Sequence, residues 1–208
     1  DPILESSIKT VDQTKTFDFS GYKHRYYKQH FGINTVNLSG SKDSMNKEAC
    51  EQIESICHSY FKMLTFIMRY YLEGIPSWTF KYKHYHAPLF CDMEKYIDTF
   101  DETCEFLDSC PASPIEQLMS VIPPQSAGLL PKEYQHLLLD EKSPVIKYYP
   151  KTFEVEMHGI KQDHEGIPLI PFVDCKKIDN ISKSVLKYSR CATPKGFCYI
   201  SNRKSITC

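Results

Sequence analysis

The stretch KEACEQIESICHSYFKMLTFIMRYY, residues 47–71, decides the fold. Its apolar and aromatic side chains recur three and four residues apart, the spacing that places them on one face of a helix. They are Ile53, Ile56, Cys57, Tyr60, Phe61, Leu64, Ile67, Met68 and Tyr71. Gly74 and Pro76 follow where such a helix would end, and His58 and Arg69 break the apolar surface too often for a membrane span. The pattern predicts a long amphipathic helix packed into a globular core.

Shorter helices are predicted on both sides of the long one. Ser20 is placed to cap a helix that runs through Phe31, and Gly32 follows as a residue that ends helices in the left-handed conformation. Farther along, Ser-Pro-Ile-Glu at residues 113–116 matches a capping box with proline at the first helical position. Pro131 can open one more short helix. The chain is therefore expected to be mainly helical.

The hydrophobic period changes to two after residue 151. Residues 153–157 alternate apolar and acidic side chains, which predicts a β-strand. His158-Gly159 then offers a turn before a second strand toward Ile170, and Asp174 can cap a last helix. The predicted class is mainly α with a small β-hairpin.

Composition sets limits on the function. The chain has 208 residues, of which 41% are hydrophobic and 25% charged, so it suits one globular domain or one lobe of a larger domain. A net charge of -1 excludes a globally basic nucleic-acid binder, and any RNA contact must come from a local patch. Residues 1–10 lack the basic start and apolar run of a signal peptide. Because the first residue is Asp1, we expect an excised piece of a longer protein.

The nine cysteines do not predict a disulfide framework, since their number is odd and their spacings are wide. The closest pairs are Cys104 with Cys110, Cys50 with Cys57, and Cys191 with Cys198. None of these pairs has the short spacing of a zinc knuckle. We expect reduced thiols in an intracellular protein.

An aromatic and basic segment, SWTFKYKHYHAP at residues 77–88, is the first candidate site. Flat aromatic rings stack on unpaired bases for about 1–3 kcal/mol per base, and lysines attract phosphates. That combination suits single-stranded RNA. The alternative is a loop whose rings pack against the base of the long helix. The residues alone leave both interpretations open.

An acidic segment at residues 92–108 is the second candidate, because two-metal nucleases need clustered carboxylates. On one helix Asp98, Asp101, Glu102 and Glu105 would share a face. Neighbouring carboxylates on one exposed helix mostly repel and stay hydrated, so we expect a solvated face and assign no metal ligand there. The chain also lacks the short motifs of nucleophilic hydrolases, and no catalytic residue is assigned.

Several segments, taken in order, resemble the second conserved region of the Xrn family of 5′→3′ exoribonucleases. They are GYKHRYYKQHF (21–31), RYYLEGIPSW (69–78), AP (87–88), EQLMSVIPP (116–124), LLP (129–131), SPVI (143–146), YP (149–150), FE (153–154) and LIPFVD (169–174). Trp78 matches the first tryptophan of the family's Ser-Trp-x-Trp stretch, whereas Phe80 stands in place of the second. Other departures are the exchanged order of Tyr85 and His86, Lys147 for aspartate, His158 for asparagine and His164 for tryptophan.

The resemblance implies removal of nucleotides from a 5′-monophosphate end, with Mg²⁺ held by carboxylates that lie amino-terminal to this chain. It implies the carboxyl-side part of a larger α/β nuclease core, which braces the active site and lines the path of single-stranded RNA. The implied partners are the amino-terminal part of the same core and RNA with a 5′-monophosphate, without a membrane, inside the cell in the cytoplasm or nucleus. No cofactor is expected in this chain itself. RNA contacts are expected at Trp78, Phe80, Tyr85 and His86.

The expected organisation has three parts: a polar linker or frayed segment at 1–20, an Xrn-like region at 21–174, and a terminal helix and tail at 175–208. Two other functions compete with a nuclease fragment. One is a non-catalytic RNA- or protein-binding scaffold derived from the same family. The other is a free-standing hydrolase with metal on the acidic segment.

Overall fold

The computed structural model describes residues 2–11, 14–35, 47–157, 160 and 162–189. Within these residues the α-helices are α1 (Pro2–Glu5), α2 (Phe19–Phe31), α3 (Lys47–Glu73), α4 (Phe90–Tyr96), α5 (Pro114–Val121), α6 (Lys132–Leu139) and α7 (Cys175–Ser189). The strands are β1 (Ile8–Val11), β2 (Thr14–Phe17), β3 (Val155–Glu156) and β4 (Ile167–Pro168). Short 3₁₀ turns lie at Ile97–Thr99, Pro124–Leu129, Ile146–Tyr148 and Asp163–Glu165.

The chain divides into two compact units. The first unit comprises residues 1–111 and 152–170, and the second comprises residues 112–151 and 171–208. These boundaries differ from the three parts expected from the sequence, whose division at residues 20 and 174 stays a prediction. The mainly helical class is confirmed, although the described residues contain two small antiparallel sheets rather than one hairpin.

Helix α3 organises the core of the first unit and confirms the long helix expected from the sequence. Its first half is buried together with residues of α2 and α4, and the core consists of Tyr27, Ile33, Ala49, Ile53, Ile56, Cys57, Phe61 and Tyr96. Gly74 follows the helix with φ of 100°, a left-handed conformation that suits glycine. The second half is less buried than the expected packed stripe, because Leu64, Ile67, Met68, Tyr71 and Leu72 are between 38% and 79% exposed.

Helix α2 has clear caps at both ends. The Asp18 carboxylate, not Ser20, accepts a hydrogen bond from the Gly21 N–H, so the predicted cap was wrong by two residues. A side chain at Gly21 would clash with this carboxylate, since an added Cβ would lie 2.5 Å from Asp18 Oδ2. Gly32 ends the helix as predicted, with φ of 70° and its N–H bonded to the Lys28 carbonyl.

Residues 2–11 and 14–17 include one short helix and two strands, and the polar linker or frayed segment expected at 1–20 stays a prediction. Helix α1 is followed by the antiparallel pair β1 and β2, in which Ile8 faces Phe17. Ile3 is buried, and the buried Ser7 hydroxyl accepts a hydrogen bond from Arg25 Nη2 of α2. This contact holds the residues after α1 against α2.

The acidic segment does not form the single helix expected from the sequence. Helix α4 and a 3₁₀ turn end at Thr99, and residues 100–111, all of which the structure describes, contain no helix. Asp98, Asp101, Glu102 and Glu105 therefore do not share one helical face. Asp92 also departs from the expected solvated face, because it is only 2% exposed.

The second unit packs α5, α6 and α7 around one core. Its buried residues are Ile115, Met119, Ala127, Leu130, Tyr134, Leu137, Leu138, Val145, Tyr148, Tyr149 and Ile178. The Tyr149 hydroxyl donates to the Met119 carbonyl at 2.6 Å, and burial raises the pKa of Tyr149 to about 12. As predicted, Asp174 caps α7: its Oδ1 accepts from the N–H groups of Lys176 and Lys177.

The predicted hairpin is present in the first unit but is short. Strands β3 and β4 pair over two residues each, with Val155 opposite Pro168 and Glu156 opposite Ile167. The turn expected at His158-Gly159 lies outside the described residues.

The capping box that opens α5 yields a testable stability effect. The Ser113 hydroxyl accepts from the Glu116 N–H, and the Glu116 carboxylate accepts from the Ser113 N–H at 2.7 Å. We expect Ser113→Ala to lower the free energy of unfolding by about 1 kcal/mol in urea denaturation, because a helix-end N–H loses its partner. Ser120→Ala on the same helix serves as control and is expected to stay within about 0.5 kcal/mol of wild type. Equal losses in the two variants would contradict the capping role.

Candidate nucleic-acid interface

Trp78 is held through its backbone while its indole faces outward. Its N–H donates to the Ser109 hydroxyl oxygen at 2.7 Å, and that oxygen lies 3.1 Å from Oγ of the buried Ser77. The tryptophan itself is 52% exposed. A fixed backbone with an exposed flat ring is the arrangement that stacking on an unpaired base requires.

Phe80 lies in an aromatic cluster instead. Its ring stacks on Phe66 with centroids 5.0 Å apart, and it meets Phe106 edge-on, also at 5.0 Å. Lys62 Nζ and the Arg69 guanidinium lie 5.2 and 5.5 Å from the Phe106 ring centroid. The Phe80 ring therefore packs at the carboxyl-terminal half of α3, as the alternative interpretation of the segment expects.

Two tyrosines of the aromatic segment 77–88 hydrogen-bond to backbone carbonyls and so stabilise its conformation. The Tyr82 hydroxyl donates to the His86 carbonyl at 2.9 Å, and its ring meets Tyr60 of α3 edge-on. Burial raises the pKa of Tyr82, so the hydroxyl stays a donor at neutral pH. Tyr85 is partly exposed, and its hydroxyl donates to the Ile170 carbonyl. The segment thus has a defined conformation.

His86 points to a carboxylate that the sequence did not single out. Its Nε2 lies 2.9 Å from Glu156 Oε2, while Nδ1 of His30 lies 3.2 Å from Glu156 Oε1. The two imidazole centroids are 3.9 Å apart. Among the described residues, these three form the only group of three or more histidine, cysteine or acidic side chains whose ligand atoms all lie within 4.8 Å of one another.

A buried polar network around Asp92 was also missed. Lys23 Nζ lies 2.5 Å from Asp92 Oδ1, and the Tyr27 hydroxyl donates to Oδ2 at 2.8 Å. Burial and the charge of Asp92 raise the pKa of Tyr27 and bring the pKa of the Cys57 thiol to about 12. Helical spacing could have placed Asp92 on the buried face of α4, since it lies three residues after Leu89 and four before the buried Tyr96, but not its contacts with Lys23 and Tyr27.

The carboxylates of residues 92–108 do not fit a two-metal site. The Asp92 carboxylate is already engaged by Lys23 and Tyr27. Asp101 accepts from the N–H and hydroxyl of Thr103, contacts that lower the pKa of its carboxyl. Such a site requires carboxylates from several elements around cations about 3.5–4 Å apart. The described acidic segment offers no such convergence.

Comparison with known proteins identifies the relatives of this chain. Residues 5–188 match the family model described as the Xrn1 helical domain. The chain is 34% identical to human 5′-3′ exoribonuclease 1 over 175 residues, which are 84% of this chain and 9% of the human protein. It is 32% identical to 5′-3′ exoribonuclease 2 of Cryptococcus neoformans over 180 residues, 86% of this chain and 15% of that protein. The corresponding protein of Candida albicans is 33% identical over 159 residues, 76% of this chain and 15% of its own length.

The chain belongs to the Xrn family of 5′-3′ exoribonucleases, and the matched part is the helical domain. It spans between 9% and 15% of the length of these relatives. None of the helices among the described residues is long and apolar enough to cross a membrane.

Proposed function

We propose that the chain is the part of a 5′→3′ exoribonuclease core that braces the active site and lines the path of single-stranded RNA. In this proposal it acts in RNA degradation on substrates with a 5′-monophosphate and is not catalytic alone. The observation that carries it is Trp78, an exposed indole on a backbone fixed by Ser109, within a segment that also carries the exposed lysines Lys81 and Lys83. Aromatic faces flanked by cationic side chains suit the binding of single-stranded RNA regardless of its base sequence.

The four expected RNA contacts take different roles in this proposal. Trp78 forms a wall of the path. Tyr85 and His86 shape the segment through the Ile170 carbonyl and Glu156, and of the two proposed contacts Tyr85 is the more exposed to RNA. The Phe80 ring packs on the Phe66 and Phe106 rings, and the proposed role of Phe80 is to hold the segment against α3.

The second half of α3 is the surface that we assign to the amino-terminal part of the same nuclease core. Met68, Tyr71 and Leu72 are 58%, 79% and 75% exposed, and Ile75 continues the apolar surface beyond the helix. Contiguous exposed apolar side chains mark surfaces that another protein segment covers. The relatives have far more chain than is present here, which supplies such a segment.

We propose that the Mg²⁺ ligands lie in the amino-terminal part of the core, because the described carboxylates of residues 92–108 do not converge on one point.

We also propose an intracellular enzyme, cytoplasmic or nuclear. The free thiols at Cys50, Cys57, Cys91, Cys104, Cys110 and Cys175 support a reducing compartment.

A non-catalytic scaffold is the competing proposal, favoured by the same exposed surface of α3. The sequence encoded upstream of Asp1 distinguishes the two proposals. Clustered aspartate and glutamate residues there would favour the nuclease over the scaffold.

The role of Trp78 can be measured in the complete enzyme. We expect Trp78→Ala to reduce kcat/KM on a 5′-monophosphorylated single strand about 5- to 150-fold, because stacking on one base is worth about 1–3 kcal/mol. Thermal unfolding is expected to change little, since the ring is more than half exposed. Trp78→Phe keeps a flat ring and is expected to retain most of the activity. Unchanged turnover in Trp78→Ala would return the tryptophan to a packing role.

A further inference from the structure

We propose that His30, His86 and Glu156 form a binding site for a divalent transition-metal ion, with zinc as the best match. The site is separate from the proposed RNA contact of Trp78 and from the Mg²⁺ chemistry of the complete enzyme.

The geometry of the three side chains is close to that of a metal site. Each oxygen of Glu156 faces a ring nitrogen, Oε1 toward His30 Nδ1 at 3.2 Å and Oε2 toward His86 Nε2 at 2.9 Å. Tetrahedral zinc with bonds of about 2.0–2.2 Å places its ligand atoms about 3.3–3.6 Å apart. Small side-chain rotations are therefore sufficient to place one cation between the three groups.

The ligands come from three separate elements that the structure holds in place. His30 belongs to α2, His86 to the aromatic segment and Glu156 to β3. The Tyr26 ring meets His30 edge-on at 4.7 Å, and its hydroxyl donates to the Ala87 carbonyl at 2.7 Å. Together with the Tyr82 bond to the His86 carbonyl, these contacts hold the His30 ring and the backbone at His86. Support of this kind is what keeps metal ligands oriented.

Burial and charge favour a cation at this position. The side chains of His30, Glu156 and His86 are only 5%, 10% and 17% exposed. One carboxylate between two imidazoles is a set of donor groups that a divalent cation can bind together. The two imidazole centroids are 3.9 Å apart, so both rings lie beside the same carboxylate. One divalent ion satisfies all three groups at once.

The ligand types select the metal. Two imidazoles and a carboxylate suit zinc and neighbouring first-row metals, whereas Mg²⁺ prefers a shell of oxygen atoms and keeps several waters. With three protein ligands, the fourth position remains for water or another small ligand. Bound zinc would cross-link α2, the aromatic segment and β3.

The test is calorimetric titration of Zn²⁺ and of Mg²⁺ into the 208-residue chain with its thiols kept reduced. We expect one zinc per chain and a rise in Tm with zinc, and no comparable binding of Mg²⁺. His86→Gln and Glu156→Gln are each expected to weaken zinc binding about 100-fold or more, since even the partners of metal ligands are worth about 10- to 100-fold. His84→Gln is the matched control. It alters a histidine of the same segment whose ring packs on Phe31, and it is expected to bind zinc as wild type does.

Cobalt distinguishes this site from the cysteines. The Co²⁺ complex is expected to show visible d–d bands without a thiolate charge-transfer band, and to lose the d–d bands in Glu156→Gln. Thermal unfolding in EDTA checks that each variant is folded, and Glu156→Gln, which preserves the side-chain shape, tests the site even where a histidine variant is unstable. The proposal is overturned if zinc does not bind at millimolar concentration, if both variants bind as wild type does, or if cobalt reports thiolate ligands.

Discussion

Asp92→Asn is expected to lower the free energy of unfolding by about 3 kcal/mol, the low end of the range for breaking a buried ion pair. The substitution preserves the shape of the side chain, so the loss would come from charge rather than from a cavity. Lys23 Nζ would lose its carboxylate partner while its side chain is only 20% exposed. The Tyr27 hydroxyl, on a fully buried residue of the core, would exchange a charged acceptor for a weaker neutral one. Chemical denaturation of the chain measures the change.

Two comparisons make the Asp92 result specific. Asp108→Asn removes an exposed aspartate of the same segment and is expected to change stability by less than about 0.5 kcal/mol. The double variant Lys23→Met with Asp92→Asn should recover part of the loss, because no buried charge is left without a partner. Equal stability of Asp92→Asn and wild type would show that the network is not needed for the fold.

The chain alone is expected to leave 5′-monophosphorylated RNA intact in the presence of Mg²⁺, and to support degradation once the amino-terminal part of the core is added. Two-metal catalysis depends on converging carboxylates, and catalysed rates exceed uncatalysed ones by about 10⁶-fold or more, so the contrast should be complete within the assay. Gel analysis of end-labelled RNA measures it. Magnesium-dependent degradation by the chain alone would overturn the proposed division of labour.

A charge on the exposed surface of α3 tests how the two parts associate. Leu72→Lys is expected to weaken the reconstituted activity, because a lysine must be desolvated where the covering segment packs. The stability of the chain itself should stay near that of wild type, since Leu72 is 75% exposed. Leu139→Lys, at an exposed leucine of α6 in the second unit, is the control. Equal activity of the two variants would assign the covering segment to another surface.

Local patterns predicted the helices well because they are local in origin. Helix α3 follows from three-and-four spacing sustained over many turns, and the caps at Gly32, Ser113 and Asp174 follow from side chains that bond to nearby backbone. The helix expected across residues 98–105 was wrong from residue 100 onward, because a run of acidic residues has no apolar stripe that could pack a helix against the core. The hairpin was found, but its turn lies outside the described residues.

The side-chain clusters could not be predicted in the same way. In sequence, Trp78 and Phe80 look equivalent, and only the rings of Phe66 and Phe106, brought together by folding, decide that one is exposed and the other packed. Glu156 reads as the polar position of an alternating strand. Its pairing with His30 and His86 depends on contacts between distant parts of the chain. Such contacts leave no periodic signal in one sequence.

The two stretches of chain that form the first unit are made at different times during synthesis. Residues 152–170 belong to the same unit as residues 1–111, and the Tyr85 hydroxyl bonds to a carbonyl 85 residues later in the chain. A nascent chain must therefore emerge through residues 112–151 before the hairpin can join α2 and the aromatic segment. At about 5–20 residues per second, ribosomes take roughly 2–8 seconds over that interval. During that time His30, Tyr85 and His86 have been made, whereas their partners Glu156 and Ile170 have not.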